Sequence, residues 1–546
     1  MKTKMLTLAA ALALSVVGFA QEEMKVQWEK QYDHKSDMHG TGLEGEVSYL
    51  ATDKEITVFN NDDGSVVWTN RFKDLAPKLR KIDELIPFWD SNCIFLFDKR
   101  TGKDQIAVVD LKTGKLLWNS ERYKNLGEDN IVYISEKDGF ALSLKDALIF
   151  VKARTGEEVW ETTKFKGVVG KYLYEDGHIT TLNLNPGGLK GLFKGFKNQL
   201  AKINMDNGDI IWENTFIGVA EKKLLTGEPI YDLYKEGNKL FLKLNGLQVY
   251  DESTGATLWS ATHDGQSLGG RSNPGGANFS IVKQYGTVAE PVIHGNDVYV
   301  VEMTKKRDQT ISKYDLNTGK LLWQSPDIKK AKAIPGLFVS GDKVMVQIGG
   351  VVERHTYSKR TDSEGNVTIT RRIDYPNIKP NGLQAFNVSD GSFAWRSEKF
   401  KKGITNAFLD GDNIIVCSGK ALYSLVSETG ADNYEKDVKD AGVGNAVQII
   451  KHKDMIAVIG EKGIATYKIA SGDFVNASKY KKSSMMKRNN EVVIMETDKS
   501  DIACFDLNTC KYEEYNNKKS ASSTLSQNGD YVYVYQKKDV TKLKTR

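Results

Sequence analysis

The stretch Asp110-Leu-Lys-Thr-Gly-Lys-Leu-Leu-Trp118 decides the fold, because its arrangement of Asp, Thr-Gly and a Trp four residues after the glycine recurs along the chain. Two more full copies are Asp251-Glu-Ser-Thr-Gly-Ala-Thr-Leu-Trp259 and Asp315-Leu-Asn-Thr-Gly-Lys-Leu-Leu-Trp323. The same glycine-to-tryptophan spacing is found at Gly64/Trp68, Gly156/Trp160, Gly208/Trp212 and Gly391/Trp395. Such repetition of one spaced pattern, called the cassette below, predicts a structure built from internal repeats.

Each part of the cassette has a physical reason. An Asp or Asn side chain caps the backbone of a turn, and glycine adopts positive φ without steric cost, so the first half is typical of a hairpin turn. The tryptophan then lies on a short strand, where its large apolar face can seal the gap to a neighbouring sheet. Upstream, Gly-Asp or Gly-Asn turns lead into alternating β-branched and aromatic residues at Gly237, Gly295, Gly341 and Gly411. Each unit is therefore predicted to be a meander of about four short strands.

Three weaker copies follow at Gly430/Tyr434, Gly472/Asn476 and Cys510/Glu514. The two ends of the chain complement each other. Val26 to Tyr32 has the character of a strand that follows a cassette glycine, with Trp28 at the docking position, whereas the strands Gly529–Tyr535 and Val540–Leu543 have no cassette after them. We expect the N-terminal strand to complete the last unit and close a ring, which would hide both sheet edges.

The cassette resembles the tryptophan-docking motif of the pyrroloquinoline-quinone (PQQ)-like, quinoprotein-alcohol-dehydrogenase-like β-propellers, and it covers nearly all of the chain after the N-terminal segment. The resemblance implies an all-β ring of four-stranded blades in which each tryptophan docks between neighbouring blades. The docking residues would be Trp28, Trp68, Trp118, Trp160, Trp212, Trp259, Trp323 and Trp395. The resemblance implies eight blades, whereas ten complete units and one split unit make eleven. The expectation is thus 8 to 11 blades, in one large ring or with some units packed separately.

The N-terminus indicates export. Lys2 and Lys4 precede an apolar run from Met5 to Phe19, and Gly18 and Ala20 are small residues where a signal peptidase would read. We predict a signal peptide at residues 1–20 and a propeller at 21–546, secreted to a periplasm or beyond the cell, with no transmembrane segment.

Composition narrows the function. Seventy-six basic and 71 acidic residues give a formal net charge of +5. This small value gives no indication of a nucleic-acid partner. The seven histidines show no metal-ligand spacing, and no haem-attachment sequence is present. Four cysteines are too few for a disulfide scaffold. Cys504 and Cys510 could pair or stay as free thiols, and the sequence leaves both open.

Three insertions are candidates for specificity, because loops on a rigid ring are where binding residues concentrate. Residues 185–197 interleave Leu192, Phe193 and Phe196 with lysines, which suits peripheral contact with a membrane or a partner groove, or a hairpin folded back on the ring. Residues 263–286 are rich in Gly, Ser and Asn and are expected to form a loop, which either lies over the funnel in contact with a ligand or extends into solvent. Residues 351–375 carry Arg354, Arg371 and Arg372 and predict a protruding basic hairpin, with or without a binding role.

The best-known members of the resembled family bind PQQ and calcium in the central funnel, but no segment here reproduces their ligand motif or their adjacent cysteines. No catalytic, cofactor or metal residue is therefore assigned, and no cofactor is predicted. We expect a non-catalytic scaffold that binds another protein of the cell envelope. The alternatives are a PQQ- and calcium-dependent dehydrogenase, or a propeller that binds a small ligand.

Overall fold

The computed structural model describes residues 22–42, 46–79, 82, 84–98, 105–123, 126–127, 130–144, 146–184, 197–217, 232–244, 246–262, 279–285, 287–303, 308–361, 367–374, 376–397, 400, 402–480, 483–489, 491–497, 501–517, 521–526 and 528–545. Nearly all regular structure in these residues is β-strand. The exceptions are one short helix, α1 (Phe72–Leu75), and two 3₁₀ turns, Trp89–Ser91 and Ser135–Lys137.

Eleven four-stranded blades follow one another along the described residues, and the four strands of each blade are antiparallel and mainly consecutive. Blades 1 to 4 contain β3 (Met38–Thr41), β4 (Val47–Ala51), β5 (Glu55–Asn60), β6 (Val66–Arg71); β7 (Glu84–Phe88), β8 (Cys93–Asp98), β9 (Gln105–Asp110), β10 (Leu116–Ser120); β11 (Ile131–Ile134), β12 (Gly139–Ser143), β13 (Leu148–Lys152), β14 (Glu158–Thr162); β15 (Val168–Glu175), β16 (His178–Leu184), β17 (Leu200–Asn204) and β18 (Ile210–Asn214).

Blades 5 to 8 continue the same order, interrupted once by an extra strand and once by an inserted hairpin. They contain β19 (Asp232–Glu236), β20 (Lys239–Lys243), β21 (Gly246–Asp251), β22 (Thr257–Thr262); β24 (Val292–His294), β25 (Asp297–Met303), β26 (Gln309–Asp315), β27 (Leu321–Gln324); β28 (Gly336–Ser340), β29 (Lys343–Val351), β32 (Asn377–Asn387), β33 (Phe393–Ser397); β34 (Phe408–Asp410), β35 (Asn413–Ser418), β36 (Ala421–Val426) and β37 (Asp432–Asp437).

Blades 9 and 10 complete the consecutive series, and blade 11 joins the two ends of the chain. They contain β38 (Ala446–His452), β39 (Met455–Gly460), β40 (Gly463–Lys468), β41 (Phe474–Lys479); β42 (Ser483–Asn489), β43 (Val492–Thr497), β44 (Ile502–Asp506), β45 (Tyr512–Tyr515); β46 (Ser522–Leu525), β47 (Tyr531–Gln536), β48 (Asp539–Lys544) and, from the N-terminus, β2 (Val26–Gln31).

The predicted closure is confirmed. Strand β2 pairs antiparallel with β48, from Val26 opposite Leu543 to Gln31 opposite Asp539. On the inner side of the same junction, Thr41 Oγ1 of blade 1 lies 2.9 Å from Tyr535 Oη of blade 11. The eleven blades therefore form one ring, and the smaller count implied by the eight-bladed relatives is wrong for this chain.

One closing element was not expected from the sequence. Strand β1 (Glu22–Glu23) lies parallel to the outer strand β45 of blade 10, so the N-terminal segment crosses from blade 10 to blade 11. Between the two strands, Met24 is buried against Ile494 of blade 10 and Val532 of blade 11. The junction is thus held by backbone pairing on both blades and by an apolar contact between them.

Apolar side chains form the core in the gaps between blades. Strand alternation sends one set of residues to each face of a blade, and both faces are covered by neighbouring blades. In one such gap, Phe95 of blade 2 packs edge-to-face on Phe140 of blade 3, with ring centroids 4.8 Å apart. Because every gap has this form, the core grows by addition around the ring.

The meander order separates the connections into two faces of the ring. In each blade the turns between the first and second and between the third and fourth strands lie on one face, here the turn face; Gly341 and Gly114 are examples. The connections between the second and third strands, and from the fourth strand to the next blade, lie on the other face, here the insertion face. The strand ends that flank all three long insertions, including Leu184, Thr262 and Val351, are on the insertion face.

Two of the insertions meet in a three-stranded sheet. Residues 351–375 contain the predicted hairpin, formed by β30 (Glu353–Thr361) and β31 (Val367–Asp374). The expectation that residues 263–286 form a loop is wrong in part, because β23 (Phe279–Tyr285) pairs antiparallel with β30. This β-strand is difficult to predict from the sequence, because it follows the polar, glycine-rich residues 263–278. Apolar and polar residues alternate only in the short stretch from Phe279 to Tyr285.

Candidate functional site

The docking tryptophans join each blade to the next by a hydrogen bond. In seven of the eight, indole Nε1 donates to a backbone carbonyl oxygen of the following blade. The pairs are Trp28–Asn61 (3.1 Å), Trp68–Leu111 (2.8 Å), Trp118–Ala153 (2.9 Å), Trp160–Met205 (2.8 Å), Trp212–Glu252 (2.9 Å), Trp323–Val388 (2.8 Å) and Trp395–Ser427 (2.8 Å). The eighth, Trp259, stacks on Tyr314, and its buried Nε1 has no partner among the described residues.

The same indoles explain the cassette glycine. Gly114 has φ +69°, and a Cβ there would lie 2.6 Å from Cδ2 of Trp68. Cys510 occupies this position in blade 10 with φ +56°. Its neighbour in blade 9 is Asn476 in place of tryptophan, and Asn476 Nδ2 donates to the Cys510 carbonyl oxygen over 2.9 Å. The smaller docking residue therefore leaves room for a Cβ that tryptophan would exclude.

The cysteines are all free and buried, which answers the question left open for Cys504 and Cys510. Cys510 Sγ lies 3.3 Å from Thr466 Oγ1, and Cys504 belongs to the apolar core between blades 10 and 11. Burial raises the pKa of the Cys504 thiol, and it raises the pKa of Cys417 to about 12. Thiols so protected are poor nucleophiles, so they contribute no reactive group.

The insertion face carries a cavity of about 450 Å³ near the inner strands of blades 5 to 8. Its apolar wall includes Pro291, Val292, Pro335, Leu337 and Phe338. Val351 also lines the cavity, and strand β30 begins two residues later. The three-stranded sheet therefore begins at the edge of the cavity. The cavity has the size and composition typical of sites that bind small molecules or side chains.

The polar wall of the cavity is held in place by hydrogen bonds. Gln347 Nε2 donates to the carbonyl oxygens of Gly349 (3.0 Å) and Thr405 (2.9 Å), and Gln347 Oε1 accepts from Ala407 N–H (2.8 Å). Asn406 exchanges two bonds of 2.9 Å with the backbone of Ile449. Because these amides are already paired within the protein, the wall is a preformed surface.

One ion pair borders the cavity. Lys243 Nζ lies 3.1 Å from Glu290 Oε1, and the lysine side chain is mostly buried, whereas half of the glutamate side chain is exposed. Glu290 can therefore rotate into water and leave Lys243 to an incoming anion. This is the one charged contact that a ligand in the cavity would meet directly among the residues that line it.

Side chains that could hold a metal ion or transfer a proton are dispersed in the described part of the chain. Among them, no three carboxylate, imidazole or thiol side chains converge closely enough to hold a metal ion. The cavity also lacks a pair of acid and base side chains within hydrogen-bonding distance of each other, apart from Lys243 and Glu290.

The sequence-predicted contacts are placed as follows. Arg354 lies on β30, opposite Gln284 of β23 and Asp374 of β31. Arg371 and Arg372 lie on β31, the free edge strand of the three-stranded sheet. Leu192, Phe193 and Phe196 lie outside the described residues. The cavity residues were missed because they come from four blades and share no local motif.

In the part of the chain that the structure describes, no helix is long and apolar enough to cross a bilayer.

Comparison with known proteins finds one family. The family model described as outer membrane protein assembly factor BamB matches residues 13–139, 102–249, 196–371 and 307–545. No match is found among the curated proteins.

Three solved structures are similar to this one at low identity. BamB from Moraxella catarrhalis is 13% identical, covers 73% of this chain and 96% of its own, and has a TM-score of 0.29. The computationally designed Ika8 protein is 12% identical, with coverages of 71% and 100% and a TM-score of 0.34. A eukaryotic initiation factor is 10% identical, with coverages of 82% and 97% and a TM-score of 0.37.

Proposed function

This chain belongs to the PQQ-like β-propeller family of the outer membrane protein assembly factor BamB, and from that premise we propose that it is an exported, non-catalytic scaffold of the cell envelope. It binds another envelope protein through the insertion face. The family supports an interaction role, and residues 1–20 have the charge and hydropathy pattern of a signal peptide.

One observation carries the proposal. All three long insertions leave the ring on the same face, and that face also holds the preformed cavity. The turn face, in contrast, consists of short turns in which side chains accept hydrogen bonds from the backbone of the same turn. In one of them, Asp110 Oδ1 accepts the backbone N–H of Thr113 over 2.8 Å. A closed ring with binding features on one side is suited to present that side to a partner.

The test is affinity capture of the tagged protein from mildly crosslinked native envelopes. One variant replaces residues 353–375 by a Gly-Asn turn, and the control carries Asp62→Lys and Asp412→Lys on the turn face. We expect a reproducible envelope partner with the wild type and the control, and its loss with the hairpin variant, with thermal melting showing that the ring is intact. Recovery of the protein alone from all three would contradict the scaffold role.

Export has its own measurement. N-terminal sequencing of the protein from a periplasmic or secreted fraction is expected to begin at Gln21. A chain that retains Met1 and stays with the cytoplasmic fraction would contradict this part of the proposal.

A further inference from the structure

We propose that the insertion face around the cavity of blades 5 to 8 binds an acidic polypeptide segment, which places one apolar side chain in the cavity and its carboxylates on the surrounding lysines. This inference rests on the proposed function and names the chemistry of the partner. It comes from the exposed lysines on the same face as the cavity and from the shape of the cavity.

Six lysines in blades 6 to 8 are exposed on this face. Lys329, Lys330 and Lys332 lie on the connection that leads into the cavity wall at Pro335, Lys379 lies on β32, and Lys402 and Lys420 lie on neighbouring connections of blade 8. None of the six forms an ion pair with a carboxylate among the described residues.

Three basic residues on the turn face are paired with carboxylates, whereas other lysines there, such as Lys115 and Lys320, are exposed without an ion pair among the described residues. Lys137 Nζ lies 2.8 Å from Asp206, Arg154 Nη1 lies 2.6 Å from Asp110, and Lys343 Nζ lies 2.5 Å from Glu428. Acidic turn residues supply these partners. What sets the insertion face of blades 6 to 8 apart is that its unpaired lysines share that face with the cavity, where they would attract an anionic partner and raise its association rate.

The cavity distinguishes between anionic partners. A lipid surface is flat at this scale and would touch the lysines without filling a concave volume of about 450 Å³. A polypeptide can place a leucine or an aromatic side chain against Pro335, Leu337 and Phe338 while its neighbouring carboxylates reach the lysines. An apolar anchor in a pocket surrounded by polar contacts is the usual arrangement of a high-affinity interface. The geometry thus favours an acidic peptide over a membrane.

The experiment measures binding of short fluorescent peptides to the purified full-length mature protein. The probe is a Glu-rich peptide with one central Trp, and the matched peptides replace Trp by Ala or every Glu by Lys. We expect the Glu/Trp peptide to bind with an affinity that falls as salt rises, the Ala peptide to bind at least about tenfold more weakly, and the Lys peptide not to bind.

Variants of the protein locate the site. In the triple variant Lys329→Ser, Lys332→Ser, Lys402→Ser, we expect the affinity for the Glu/Trp peptide to fall about tenfold or more. The salt dependence of that binding should also become smaller. The control Lys164→Ser, Lys166→Ser removes two exposed lysines from the same face between blades 3 and 4 and is expected to leave binding unchanged. Phe338→Ala tests the cavity, and thermal melting of each variant separates lost binding from lost folding.

The opposing outcomes are distinct. If the Glu/Trp peptide fails to bind, or binds equally to the triple variant, the inference is wrong. Sedimentation with vesicles containing anionic lipid, dependent on the same lysines and without peptide binding, would assign the face to a membrane. If envelope capture still depends on the hairpin of residues 353–375 in either case, the proposed function stands while the acidic-peptide inference falls.

Discussion

Trp28 Nε1 donates a hydrogen bond to the carbonyl oxygen of Asn61 over 3.1 Å, and this bond ties the N-terminal strand of blade 11 to blade 1. The ring of Trp28 also packs on Gly64, the cassette glycine of blade 1. The contact repeats, at the junction of the chain ends, the seam that joins consecutive blades elsewhere. Closure of the ring is therefore one more copy of the repeat interface.

Replacing Trp28 tests how much this closing bond contributes. Trp28→Phe keeps an aromatic ring but loses the donor, so we expect a loss of about 1 kcal/mol in the free energy of unfolding. Trp259→Phe is the matched control, because the Trp259 indole N–H has no partner among the described residues and should cost less. Chemical denaturation of both variants measures the difference. Equal losses would mean that packing alone holds the seam.

Asn476→Trp and Cys510→Gly should be strongly coupled. The single change Asn476→Trp brings an indole against the Cβ of Cys510, a position where other indoles meet glycine, so we expect it to destabilise the ring. Adding Cys510→Gly removes the Cβ and suits φ +56°, so the double variant should recover the loss. A double-mutant cycle measures the coupling, and additive effects would contradict this account of the weakened cassette.

His39 should make the closing junction sensitive to acid. Its ring stacks on Tyr535 with centroids 4.0 Å apart, Nε2 lies 2.6 Å from Ser522 Oγ, and buried Nδ1 has no partner among the described residues. Burial lowers the pKa of His39 below its ordinary 6.5. The unfolded chain therefore binds a proton more readily than the folded ring, so the stability from His39 is complete above pH 6.5 and declines as the pH falls below it.

Thermal melting from about pH 7.5 to about pH 5 checks this dependence. His39→Gln keeps a side chain that can bond Ser522 but does not titrate in this range. We expect the difference in melting temperature between wild type and variant to change toward low pH in favour of the variant. A constant difference would show that His39 does not titrate with folding.

The four thiols should not react with thiol reagents in the folded protein. Cys93, Cys417, Cys504 and Cys510 are free and buried, and burial raises the thiol pKa of the first three. A thiol-reactive chromophore is expected to label none of them until denaturant is added and then to label all four. Labelling of only two in denaturant, rising to four after reduction, would reveal the disulfide that this structure does not contain.

Much of the fold could be predicted from local patterns. The cassette at Asp110 to Trp118 specifies a turn and the strand after it, and its copies specify the blades, because hairpin turns and strand alternation depend on neighbouring residues. The lone strand around Trp28 also predicted its partner at the other chain end. The pairing of β23 with β30 could not be predicted in this way. All four strands of blade 6 and the first two strands of blade 7 lie between them in the sequence.

The site was less accessible to sequence. The basic hairpin with Arg354, Arg371 and Arg372 was visible as an alternating, charged insertion. The cavity was not, because Pro291, Pro335 and Asn406 come from three consecutive blades and meet only when those blades pack side by side. Nor could sequence show that Lys137 forms an ion pair while Lys329 has none with any described residue.

The sequence by itself determined the repeat and the blade-forming turns, because both follow from interactions between residues close in the chain. It also determined the strand that closes the ring, because the last repeat lacks its fourth strand and the N-terminal segment resembles one. Only the tertiary structure decided that there is a single ring of eleven blades, that the insertions share one face and that a cavity and exposed lysines lie on that same face. Those properties depend on which strand ends the meander brings to the same side, and that is set by packing between blades over hundreds of residues.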